Sequence, residues 1–141
     1  MGIVARGAVQ MPWTAAWDWI ARPMHYRAVH KFRVAAQSGD AVQLAPLLHR
    51  RSAVVVDAGE AEPSDILVVR GAYDAVALLL HGMAKEPGLV IAERSVNGQA
   101  GLMLNRGDEV IAAITVDFTG RFISTVWIRL HPQPLKHWNH V

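Results

Sequence analysis

The sequence contains no cysteine. Disulfides, thiolate zinc sites and cysteine nucleophiles are therefore excluded. A dominant charge sign is also missing: lysine and arginine number 14 against 12 acidic residues, a formal net charge of +2. "HRR" at 49–51 is the one dense basic run. Nucleic-acid-binding domains usually show a basic stripe, so no direct nucleic-acid binding is expected. Apolar runs reach only about ten residues, against the ~20 a helix needs to cross a bilayer, so no membrane partner is expected. The apolar N-terminus "MGIVARGAVQMPWTAAWDWIARPM" is broken by Arg6, Asp18 and Arg22 and lacks the clean apolar core of a signal peptide. A cytoplasmic protein of bacterial style is the expectation. Glycine-rich phosphate loops, a nucleophile elbow and an H-E-x-x-H motif are absent as well. There are seven histidines, but His25 and His30 are five apart and do not share a helix face, and His137 and His140 lie in the tail. Neither a metal nor a cofactor is expected.

What is present describes one folded domain. The 141 residues are 52% apolar and 18% charged, enough to bury a core. Trp13, Trp17, Ile20 and Met24 mark one face of a helix that Pro12 starts and Pro23 limits. Trp13, Trp17 and Trp19 of this helix suit packing on the body or, since they cannot all face one core, a lid or a dimer arm. A second helix is predicted over 25–37, stopped by "SGD" with Gly39 after its end and Asp40 as the next N-cap. "AVQLAPLLH" reads as a short helix. The period then changes to two. "SAVVVDAG" and "DILVVRG" read as a strand pair, followed by a helix in "AYDAVALLLHGMA" and four strands joined by tight turns, the clearest at Asn97-Gly98. The fold class is α+β: a cone-shaped, curved antiparallel sheet with helices packed on its concave side.

The last two strands have unlike faces. Val110, Ala112, Ile114, Val116 and Phe118 alternate with Ile111, Ala113, Thr115 and Asp117. Phe122, Ser124, Val126, Ile128 and Leu130 alternate with Ile123, Thr125, Trp127 and Arg129. One side is almost purely apolar. The other mixes apolar and polar groups, as a solvated face, a dimer interface or a pocket wall would.

The order of these elements resembles the nuclear transport factor 2-like (cystatin-like) superfamily, which includes SnoaL-like polyketide cyclases and ketosteroid isomerases. "AAQSGDAVQLAPLLH", "VVRGAYDAVALLL" and the closing hairpin carry the likeness over about residues 25–135. The segment from "VNGQAGLMLNR" to "HPQPLKHW" is similar to the SnoaL-like C-terminal extension of extracytoplasmic-function sigma factors. Where that group has an Asn-Pro-Asp-Lys-Leu tail, this chain has "HPQPL", keeping Pro132 and Leu135. Where it has Asp-Gly-Gly-Gly-Lys, this chain has "DAGEA", keeping Asp57 and Gly59. The resemblance divides the chain into an N-terminal extension (1–24), a SnoaL-like domain (25–135) and a tail (136–141), with the sigma domains absent.

The resemblance also implies candidate chemistry. Asp57 ends a strand where isomerases in the family place a general base, and Asp117 matches in type a late-strand aspartate of the cyclases. The alternatives are a turn residue for Asp57 and a salt bridge to Arg129 or Arg121 for Asp117. Counting back from "SGD" puts Phe32 at the family's oxyanion tyrosine, and phenylalanine cannot donate a hydrogen bond. Tyr26 and Tyr73 are the remaining phenols. Ligand-binding candidates are Tyr26, Phe32, Tyr73, Thr115, Thr125, Trp127 and Arg129. The favoured expectation is a domain that binds a small, mostly apolar molecule in its cone. The alternatives are a cyclase, isomerase or hydrolase using Asp57 or Asp117, and a regulatory module contacting a transcription protein. A homodimer is expected through the face that includes Ile111, Ala113, Ile123 and Trp127.

Overall fold

A computed structural model of the chain describes residues 11–58, 66–96 and 98–131, with side chains from residue 25 onward within them. The first helix, α1, runs from Met11 to Ser38. The sequence reading divides it at Pro23, yet the helix passes through. A proline there removes one intrahelical donor and crowds the preceding turn, which the helix tolerates in place of a break. The side chains of the tryptophan face at 13–24 lie outside the described residues, as does the C-terminal tail. Gly39 follows α1 with a φ of 75°, a conformation open to glycine at little cost. Asp40 then caps α2 (Ala41–Leu44), its carboxylate accepting the Val42 N–H at 2.9 Å. The single short helix expected here is instead α2 followed by a 3-10 turn, Ala45–Leu47.

β1 (Leu48–Asp57) and β2 (Ile66–Arg70) pair antiparallel, and α3 (Ala72–Met83) follows. Gly71 makes that junction with a φ of 92°. β3 (Leu89–Val96), β4 (Gln99–Arg106), β5 (Glu109–Thr119) and β6 (Phe122–Leu130) form the meander. The six strands make one curved, unclosed sheet in the order β2-β1-β6-β5-β4-β3, with β1 and β6 parallel. The architecture is α+β. No helix among the described residues is long and apolar enough to cross a membrane.

The helices cover one face. Val29, Phe32 and Ala36 of α1 and Ala75, Leu79 and Met83 of α3 are buried with Val54, Leu102, Ile114, Val116 and Val126 of the sheet. Spacings of three and four in the helices and two in the strands produce this common core.

Register shifts interrupt the ladders within β1, between Leu104 and Asn105, and between Asp117 and Phe118. Such bulges bend a sheet and change which side later residues face. Three corrections follow. Ile123, expected on the mixed face, is 2% exposed and belongs to the core. Ile111, expected beside it, packs against the core as well. Phe122, expected inside, instead meets the His49 ring edge-on at 6.4 Å.

Candidate functional site on the open sheet face

The face away from the helices collects most of the residues singled out in the sequence. Cross-strand partners place Val68, Val55, Trp127 and Thr115 in one row across β2, β1, β6 and β5. The next row holds Ile66, Asp57, Arg129 and Ala113. On the other side of the Trp127 row lie Arg70, Ala53, Thr125 and Asp117. Alternation is the cause: Val54 and Val126 turn inward, so Val55 and Trp127 turn outward.

Trp127 stands at the centre and is 45% exposed. Its indole Nε1–H donates to Asp117 Oδ2 at 2.8 Å. The two residues are diagonal neighbours across the β5–β6 ladder, within reach for side chains of this length. Asp117 thus holds the indole rather than pairing with Arg129 or Arg121. Arg129 Nη2 lies 3.8 Å from Asp57 Oδ2, a loose and largely exposed pair. Contacts of that kind contribute about 0–1 kcal/mol.

Of the nine candidates, Asp57, Asp117, Thr115, Thr125, Trp127 and Arg129 share this face. The other three do not join them. Phe32 is 0% exposed inside the core, so no water-sized void touches it. Tyr26 lies on the surface of α1, and Tyr73, in the first turn of α3, is 88% exposed. Proton abstraction next to a carbonyl needs a base and an oxyanion donor converging on a dry pocket. The two aspartates stand on an open sheet, and neither tyrosine is on it.

A second polar cluster escaped the sequence reading. Glu93 of β3 accepts from the Arg33 guanidinium and contacts His30 Nδ1 at 2.7 Å, tying α1 to the edge of the sheet. Arg33 also donates to Gln37 Oε1 at 2.8 Å. Burial raises the Glu93 carboxyl, but hydrogen bonds and charge from Arg33 and His30 outweigh it and hold its pKa below the ordinary 4.5. The signal was present: Glu93 follows Leu89 and Ile91 at a spacing of two, a charge in phase with two buried residues. On the outer side of α1, His30, Lys31, Val34, Ala35, Gln43 and Leu47 line an open groove of about 410 Å³.

No family model matches the chain. No curated protein matches it either. Solved structures do. The extracytoplasmic function sigma factor SigJ of Mycobacterium tuberculosis superposes with a TM-score of 0.57 at 19% identity, covering 84% of this chain and 46% of that one. A nuclear transport factor 2-like protein of unknown function from Cytophaga hutchinsonii gives 0.54 at 15% identity, covering 79% and 94%. The fold is nuclear transport factor 2-like. A ketosteroid isomerase-like protein from Kribbella flavida shares it, with a TM-score of 0.54 at 14% identity, covering 79% of this chain and 80% of that one. At these identities the likeness is one of fold. The chain spans less than half the length of the sigma factor.

Proposed function

We propose that this chain is a SnoaL-like interaction domain that forms a homodimer through its open sheet face and carries no enolate chemistry. The observation that supports it is Trp127. A tryptophan nearly half exposed in the middle of a sheet leaves a large apolar area in water. Here Asp117 fixes its orientation, and Val55 and Val68 extend the apolar row. Rigid aromatic anchors of this type dominate binding energy at protein interfaces. Pairing two copies face to face buries both indoles. The sigma-factor neighbour supports a regulatory setting in the cytoplasm, with a transcription protein as a further partner.

A small apolar ligand is the second reading. The fold shared with an isomerase-like protein supports it, and so does the apolar lining that Val34, Ala35 and Leu47 give the groove outside the cone.

Sedimentation equilibrium at tens of micromolar tests the dimer. The expected species has twice the 15.5 kDa chain mass. Trp127→Ala should weaken association by tenfold or more, about 1.4 kcal/mol or above, while thermal unfolding stays cooperative. A wild-type chain that sediments only as a monomer would remove the proposal.

A further inference from the structure

The end of β1 opposite Asp57 gathers arginine. β1 enters the sheet at Leu48, paired with Ile123 of β6, and the next pairing is Ala53 with Thr125. β1 thus advances five residues while β6 advances two. The ladder to β2 begins only at Ala53. His49, Arg50, Arg51 and Ser52 are therefore extended but outside both ladders. His49 Nδ1 accepts the Arg51 backbone N–H at 3.0 Å, and the Gly71 N–H bonds the Ser52 carbonyl at 2.8 Å. That second bond brings Arg70, at the end of β2, to one flank of the segment. On the other flank the Arg121 guanidinium lies over the Phe122 ring at 5.1 Å, and the same ring meets His49.

Arg50, Arg51, Arg70 and Arg121 are all exposed. Among the described residues the ion pairs use His30, Arg33, Arg106 and Arg129, and none of these four. Asp57, the acid on β1, lies at the opposite end of that strand; Asp74 stands in the first turn of α3 beyond Arg70, and Asp117 holds the Trp127 indole. Ser52 Oγ is wholly buried with no partner among the described residues. Stranding a buried hydroxyl costs stability, so packing alone does not account for this bulge. Bulges are a common device for re-aiming side chains at a functional site.

We propose that this arginine end docks an extended acidic segment of a partner protein. Four guanidinium groups with no carboxylate partner among the described residues match an acidic chain, because the planar fork of arginine takes a carboxylate bidentately. Apart from the Arg51 N–H and the Ser52 carbonyl, the main chain of residues 49–52 lies outside both ladders and offers an edge to which an extended peptide can add. A single-stranded nucleic acid would use the charge but leave that edge unused. It would also need an open aromatic face for stacking, and Arg121 covers the Phe122 ring.

The test is fluorescence anisotropy of the full chain with a labelled peptide of alternating Glu and Val at low salt. Arg50→Glu with Arg51→Glu should weaken binding by about tenfold or more. Arg94→Glu, exposed on the distant edge strand β3, should change it less than about twofold. Both arginines are exposed, so the double variant should melt like the wild type. Arg121→Gln provides a milder second variant with a smaller loss. A peptide of equal charge with Pro in place of Val should bind several-fold more weakly, because it cannot add as a strand. Absence of wild-type binding, equal losses in the β1 and β3 variants, equal binding of the Pro peptide, or tighter binding of an equally charged oligonucleotide would each overturn the proposal.

Discussion

The two faces of this one sheet obey different rules, although their residues alternate along the same strands. On the helix side, Val54, Ile114, Val116 and Val126 meet Phe32, Leu79 and Met83 with almost no exposed area. On the open side, Val55, Thr115 and Trp127 stand among Asp57, Asp117 and Arg129. The first face holds the fold together by apolar burial. The second holds its geometry by hydrogen bonds and loose ion pairs that add little stability. Residues that set shape and residues free to recognise a partner are therefore one position apart in sequence.

The sharpest test of that contrast is Phe32→Ala. It leaves a cavity where no void exists, and should cost about 3–5 kcal/mol in denaturant unfolding. A loss below 1 kcal/mol would mean that the core is much looser than its burial indicates.

Gly101→Ala should come next, and it shows that the open face is not tolerant everywhere. Gly101 lies opposite Thr115 on β5. A Cβ there would sit 2.6 Å from the Ile114 carbonyl oxygen and 2.9 Å from Val96 Cγ2. The carbonyl belongs to the backbone of the ladder and cannot turn aside. About 1–3 kcal/mol of destabilisation is expected from chemical denaturation.

A smaller and pH-dependent effect belongs to Glu93, the contact between α1 and the sheet edge. Its folded pKa lies below the ordinary 4.5. Its stabilising contribution is therefore complete above that value and is lost as pH falls through the folded pKa. Glu93→Gln should lower the melting temperature at pH 7, and the difference from wild type should shrink as pH drops below 4.5. A difference that stays constant on acidification would show that charge plays no part in this contact.

The smallest effect is expected at Asp57. Its side chain is on the open face beside Arg129. Asp57→Asn keeps an acceptor oxygen in the same place and should shift stability by no more than about 0.5 kcal/mol. Neither wild type nor variant should isomerise a model steroid, since no phenol joins Asp57 there. Robust isomerisation abolished by the substitution would restore the enzyme reading.

Much of this was legible in the sequence because it is local. The period of two in "SAVVVDAG" and in the last strands, the i, i+3 and i+4 pattern of Val29, Phe32 and Ala36, and the Asp40 cap each depend on residues a few positions apart. The sharing of one face by Thr115, Asp117, Thr125, Trp127 and Arg129 followed from alternation across one hairpin. Alternation failed where a bulge intervened. Ile123 and Phe122 exchange sides because the β5–β6 register shifts between Asp117 and Phe118, and a one-residue slip is invisible to a count of apolar positions.

By itself, the sequence determined the element types, most of the turns, the apolar core face and the absence of thiol chemistry. Tertiary structure alone decided the parallel union of β1 with β6, the departure of His49–Ser52 from both ladders and the clasp of Glu93 by Arg33 and His30. It also decided that Asp117 would hold Trp127 rather than pair with an arginine. The reason is physical. Propensity and alternation act between near neighbours along the chain. Register between distant strands, and the choice among several possible partners for one carboxylate, are settled only when the whole core closes.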